Sequence, residues 1–170
     1  MRKVAVLIIV VMFTFTMQAQ HVFNKGDLMF NAGIGIPYSN GLIPTVNFSG
    51  EVGVIPTGDI GLVSFGGLAE FQMGTYTYVY ANTEFFPRFY AGARAAWHVH
   101  AFNSDVFDAY AGVGFGVVIS GKTDLVSGST SVNPDVFVGG RWMFSPGMGL
   151  FAEVGYTGLS AIKFGVTFGL

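Results

Sequence analysis

Cysteine is absent from the 170-residue chain. That absence excludes a disulfide framework, a thiolate nucleophile, a Cys-ligated metal site and a lipid-bearing N-terminal cysteine. Charge is nearly as scarce, with Asp, Glu, Lys and Arg at 11% of residues against roughly 25% in an ordinary soluble domain. The net charge of -2 supplies no basic surface, which argues against nucleic-acid binding. Long apolar runs are missing too: past residue 20 none approaches the roughly 20 residues that a membrane-crossing helix needs. What the chain does have is aromatics, at 16%, and 25 glycines. Such a composition is poorly matched to water.

The N-terminus accounts for a small part of it. Arg2 and Lys3 precede the apolar run Val4 to Phe15, and Thr16-Met17-Gln18-Ala19-Gln20 follows with small and polar residues. A basic segment, a short apolar segment and a cleavage zone are the parts of a secretory signal peptide. The expectation is a signal peptide over 1–19, cut after Ala19, and a single barrel domain over 20–170.

Beyond it, period-two alternation recurs, which is the strand signature. Leu28, Phe30, Ala32, Ile34 and Ile36 oppose Met29, Asn31, Gly33 and Gly35 in the first segment. The fifth is the clearest, with Phe107, Ala109, Ala111, Val113, Phe115, Val117 and Ile119 facing away from Asp108, Tyr110, Gly112, Gly114 and Gly116. Eight such segments are expected, the last being Ile162 to Leu170. Their links alternate in length. Pro56 to Asp59, His100 to Asp105 and Ser145 to Gly149 read as compact turns, while Pro37 to Pro44, Met73 to Thr83 and Ser120 to Asn133 read as longer loops. Outer-membrane barrels have short periplasmic turns and longer extracellular loops.

Side-chain volume decides which face is inside. An eight-stranded barrel has an interior just wide enough to be filled by side chains, and the apolar parity carries Phe, Trp, Leu, Val and Ile in bulk. The other parity is glycine with scattered charges, which fits a crowded axis. A continuous apolar exterior is tolerable in lipid, where closure also leaves no unpaired backbone edge. The expected fold is therefore all-β: an eight-stranded antiparallel up-and-down transmembrane β-barrel.

On that reading Glu51, Glu70, Arg94, Asp108, Arg141, Glu153 and Lys163 form an inward belt of four acids and three bases. Hairpin geometry sets Arg141 opposite Glu153, Arg94 near Asp108 and Glu153 near Lys163. The belt is read as salt bridges plugging the lumen, with an ion-selective constriction as the alternative. Trp97 and Trp142 have outward parity near compact turns and make an interfacial girdle. Tyr76, Tyr78, Tyr80, Phe85 and Phe86 form the opposite girdle or a loop surface. His98 and His100, two apart on a strand, would project to one face near His21, but no acid of matching parity is nearby and no metal site is expected. Ser64 has lumen parity, yet no His is read at its level, so no triad and no catalytic residue are expected. Gly112 to Gly116 lies within a strand and cannot cradle phosphate.

Residues 92–98 (GARAAWH), 108–112 (DAYAG), 139–144 (GGRWMF) and 151–156 (FAEVGY), with the closing alternating strand, resemble the small Bacteroidetes-type outer-membrane β-barrel proteins, porin-like and similar in architecture to OmpX and the OmpA transmembrane domain. The resemblance runs from about residue 21 to the end. It implies a monomer in the lipid bilayer of a Gram-negative-type outer membrane, inserted by the assembly machinery that reads the terminal stripe Phe164, Val166, Phe168 and Leu170. Leu170 stands where the family usually ends in Phe. The expected role is structural or surface interaction through extracellular loops, without cofactor. A narrow channel for ions or small solutes is the alternative, and a lipid-modifying enzyme is a distant third.

Overall fold

A computed structural model describes residues 21–77, 83–100, 104–123 and 127–170. The expected signal peptide and the loop tyrosines Tyr78 and Tyr80 lie outside the described residues. Eight strands follow one another: β1 (Leu28–Pro37), β2 (Thr45–Pro56), β3 (Gly61–Thr77), β4 (Thr83–Val99), β5 (Phe107–Ser120), β6 (Ser129–Ser145), β7 (Met148–Thr157) and β8 (Ser160–Gly169). Each pairs antiparallel with the next, and β8 returns to β1, so the sheet closes. The start of β1 meets the residue after β8 there, since Leu28 and Leu170 exchange backbone hydrogen bonds of 3.2 and 2.9 Å.

Alternation fixes the faces as the residue pattern requires. Phe115 is 67% and Val113 61% exposed, while the inward His98 and Arg141 are 0% and 1% exposed. Polar groups are inside and apolar ones outside, the reverse of a water-soluble barrel. Bulges break the alternation near strand ends, as in β2: Val54 is the extra residue between the pairs Gly53↔Ser64 and Ile55↔Val63, and both Val54 and Ile55 face outward. A bulge turns the strand at just such a rim.

The strands are longer than alternation alone marks out. Met73 to Thr77 and Thr83 to Phe86 belong to the β3–β4 ladder, and Ser129 to Asn133 to the β5–β6 ladder, so parts of two expected loops are sheet. Polar and aromatic residues there pair by backbone, a property that composition does not report. Strands of 17 residues in β3, β4 and β6 exceed the roughly 9–11 that cross a bilayer at a tilt. They project at the long-link end.

The interior is also more aromatic than glycine and charge alone imply. Tyr90, Tyr110, Phe137 and Phe86 are buried inside, which corrects the placement of Phe86 in an outer girdle. Inward glycines make the room, since a Cβ on Gly139 would stand 2.7 Å from the Tyr110 ring. Three apolar clusters result. Phe23, Met29, Leu62 and Met143 sit at the short-turn end, Ala96, Tyr110 and Phe137 form a second, and Leu68, Tyr90, Val118 and Leu159 a third.

Candidate functional site

The lumen is the one place where this chain concentrates charge. Arg141 lies against β1, β2 and β5. Its Nη1 donates to Asp108 Oδ2 at 2.8 Å, Nη2 donates to Glu51 and Nε donates to Asn31 Oδ1 at 3.3 Å. Its guanidinium carbon stands 4.5 Å from the Tyr110 ring centroid. Arg94, from β4, reaches across the barrel to Glu153 on β7 in a two-toothed contact of 3.2 and 3.0 Å, and its Nε stands 3.2 Å from Asp135. Glu153 also accepts from the Tyr110 hydroxyl at 3.1 Å. Lys163 donates to Thr157 Oγ1 at 2.7 Å and lies 3.5 Å from Glu70, which in turn accepts from the Leu159 amide and the Ser160 hydroxyl.

All seven residues of the expected belt therefore face inward, but two of the three expected pairings fail. Glu153 is in register with Gly139, not with Arg141, because the β6–β7 link is a tight turn with a bulge beside it and β7 already begins at Met148. Arg94 pairs in register with Gly114, well above Asp108. Glu153 and Lys163 are in register as expected, although the lysine's ammonium turns to Thr157 and Glu70. In a closed barrel long side chains span the axis, so partners need not be ladder neighbours.

Two charged residues with central places were missed. Asp135 is 0% exposed and has the same parity as Arg141, but it sits behind Pro134, a residue that argues against strand. His98 is the other. Its Nδ1 stands 3.0 Å from Asp108 and its Nε2 stands 3.2 Å from Glu51 and 3.0 Å from Ser64 Oγ. The expectation that no His shares the level of Ser64, and that no acid is near His98, is thus corrected. With them and the buried Arg88, also outside the expected belt, counted, the groups balance: Glu51, Glu70, Asp108, Asp135 and Glu153 face Arg88, Arg94, His98, Arg141 and Lys163. Neutral pairing is the cheapest way to hold charge out of water.

Ser64, His98 and Asp108 have the distances of a nucleophilic triad, but not its chemistry. Carboxylates flank His98 at both ring nitrogens and accept only, so both nitrogens carry protons and none is free to take one from Ser64. The Ser64 hydroxyl itself donates to Glu51. Both side chains are fully buried, with the Phe23 ring 4.5 Å from the imidazole. The three side chains belong to one buried hydrogen-bond cluster.

Both mouths of the lumen are closed by chain. At the short-turn end, residues 21–27 fold under the barrel. Phe23 is 1% exposed, Gly26 N donates to Gly53 O at 2.9 Å, and Gly53 N donates to Asp27 O at 3.1 Å. His100 does not share a face with His98: β4 ends at Val99, and the His100 ring stacks on His21 instead, with centroids 3.9 Å apart. At the long-link end, Leu159 turns inward and is 0% exposed, and the Tyr38 hydroxyl latches over it by donating to Gly158 O at 2.7 Å. Arg88 Nη1 donates to Gln72 Oε1 at 2.9 Å and to Ser39 Oγ at 3.4 Å. Between the charged clusters, bounded by Glu51, Arg94, Tyr110 and Glu153, is a void of only ≈ 10 Å³, about one water probe.

Outside, Trp97 and Trp142 both face outward at the short-turn end, at 39% and 47% exposure. The Trp97 indole donates to Thr57 Oγ1 at 3.0 Å and Trp142 meets Phe144 edge-on. Phe164, Val166 and Phe168 lie on the outer face of β8, with Leu170 just beyond its end.

No family model and no curated protein matches the chain. Among solved structures it is similar to two of Ail, the attachment invasion locus protein of Yersinia pestis, one free and one in complex with the heparin analogue sucrose octasulfate. Each aligns at 11% identity and a TM-score of 0.44, over 86% of this chain and 100% of that chain.

Proposed function

We propose that the protein is an integral outer-membrane β-barrel whose filled lumen is a structural core and whose long-link end makes surface interactions. The observation that carries this reading is the inverted polarity of a closed sheet: large apolar side chains on the outside of every strand, and paired charges buried within. Unpaired backbone is absent from a closed barrel, which is the condition for crossing lipid by strands. A bilayer is then the first partner, and the outer-membrane assembly machinery, reading the Phe164 to Leu170 stripe, the second. The barrel acts as a monomer, with neither cofactor nor catalysis in its role, in a Gram-negative-type bacterium of the group that its sequence resembles.

Surface interaction is supported by the projecting β3–β4 hairpin and by apolar side chains left bare at that end, with Leu42 at 89% and Val132 at 72% exposure. The channel alternative has little room, because the charges are paired rather than of one sign and both mouths are closed. Planar-bilayer recording tests it. The reading expects no steady openings, and openings that change when Glu153 or Arg94 is neutralised would overturn it. Orientation is tested on intact cells with single-cysteine variants and an impermeant maleimide. Leu42→Cys should react from outside and Asp59→Cys only after lysis; the reverse would overturn the assignment.

A further inference from the structure

All three histidines of the chain converge on one short segment. Phe23, the only Phe, Tyr or Trp of residues 21–27, is held from three sides: its ring lies against His98, its carbonyl is 3.2 Å from His100 Nε2, and His21, two residues before it, stacks on His100 at an interplanar angle of 7°. His98 has settled partners in Glu51 and Asp108. His21 and His100 have no carboxylate in ion-pair contact among the described residues, and parallel imidazoles at 3.9 Å are compatible only while at least one is neutral. We propose that residues 21–24 are a detachable plug of the short-turn mouth, released when His21 gains a proton against the stacked His100 ring.

The rest of the local structure fits a hinge. Gly26, with φ of 93°, adopts a backbone geometry that suits glycine, and the backbone bonds of Gly26 and Asp27 with Gly53 anchor the segment behind the moving part. The charged groups near the pair are Asp27 on the segment, which also carries Lys25, and Asp105 in the β4–β5 link. Asp27, Asp105 and Leu170 line one open cavity with His21, while Asp27 is engaged by the Asn24 amide at 2.8 Å. Beneath Phe23 lie Glu51 on β2, His98 on β4, Asp108 on β5 and Arg141 on β6, already paired among themselves. Burial and the neighbouring His100 both hold the His21 imidazole below its ordinary value of 6.5. The sign follows: the docked form binds fewer protons, so docking is complete above the free-imidazole range and weakens as pH falls through it. Release uncovers Met29, Leu62 and Met143.

The absence of native cysteine makes the test direct. A trifluoromethyl tag on Val22→Cys, in the protein folded into lipid bilayers, is followed by fluorine NMR, with a tag on Asp59→Cys as reference. At about pH 8 the Val22 tag should resonate in a buried position, and at about pH 5 it should shift to the water-exposed position while the reference stays. A second chain carrying His21→Phe and His100→Gln keeps an aromatic ring at position 21 and an N–H for the Phe23 carbonyl at position 100, but no imidazole at either place. It should stay docked at both pH values. An unchanged Val22 tag in the first chain, a tag already exposed at about pH 8, or acid release persisting in the second chain would each overturn the proposal.

Discussion

Arg141 and Asp108 stand directly opposite each other across the β5–β6 ladder, and the guanidinium donates to the carboxylate at 2.8 Å with both side chains buried. The same guanidinium also holds Glu51, so Arg141 and His98 together face these two acids, and the guanidinium covers the Tyr110 ring. Replacing Arg141 by Met leaves two carboxylates in the lumen with His98 alone. Breaking a buried pair from one side costs about 3–5 kcal/mol, and that loss should appear in urea unfolding from lipid vesicles. A loss near zero would mean that water reaches this level of the barrel.

Leu159 closes the other end, packed on Leu68, Tyr90 and Val118. Leu159→Ala should cost about 2–5 kcal/mol, the range for emptying a packed apolar site, whereas truncation of the exposed Leu42 should be close to neutral. Paired melting experiments on the two variants check this. Similar losses in both would contradict a filled upper lumen.

The faces of the strands were legible in the sequence, because parity alone decides them and bulk decides which parity can fit inside. Phe115 outward and Arg141 inward follow from that argument without coordinates. Partners were less legible. The Arg141–Glu153 expectation missed by the length of one turn, and Arg94–Glu153 joins β4 to β7 across the axis, a contact that hairpin folding cannot generate. Asp135 was hidden behind Pro134, and His98 was discounted because Asp108 was placed too high, beside Arg94. The N-terminal plug left no periodic signal at all. Phe23 is one aromatic residue in an irregular segment, and only its place beneath a closed barrel gives it a role.

The Tyr38 latch should fail in alkali. Burial and a hydrogen-bonding contact with Tyr156 raise the Tyr38 phenol above its ordinary value of 10.0. The folded state therefore keeps its proton where the unfolded state loses it, so the stabilisation is whole below about pH 10 and falls as pH rises beyond. Phenolate absorbance of the wild type should show a late-titrating signal that Tyr38→Phe reduces by one phenol. A late signal left unchanged in Tyr38→Phe would contradict the latch.

Ser64 should be chemically silent. A fluorophosphonate probe, which captures serines activated by a free imidazole, should leave the folded barrel unlabelled at about pH 8, and Ser64→Ala should change stability without changing any reactivity. Labelling that disappears in Ser64→Ala would convert the Ser64–His98–Asp108 cluster from a structural device into a catalytic one.

The membrane itself is tested at Phe115, among the most exposed large apolar side chains of the barrel wall. In lipid, Phe115→Arg near the bilayer midplane should lower the free energy of unfolding from vesicles by about 2–4 kcal/mol. In a water-facing barrel the same change would place a charge in solvent at no such cost. A loss in that range is the predicted result, and a Phe115→Arg chain that assembles and unfolds like the wild type would contradict a lipid-facing exterior.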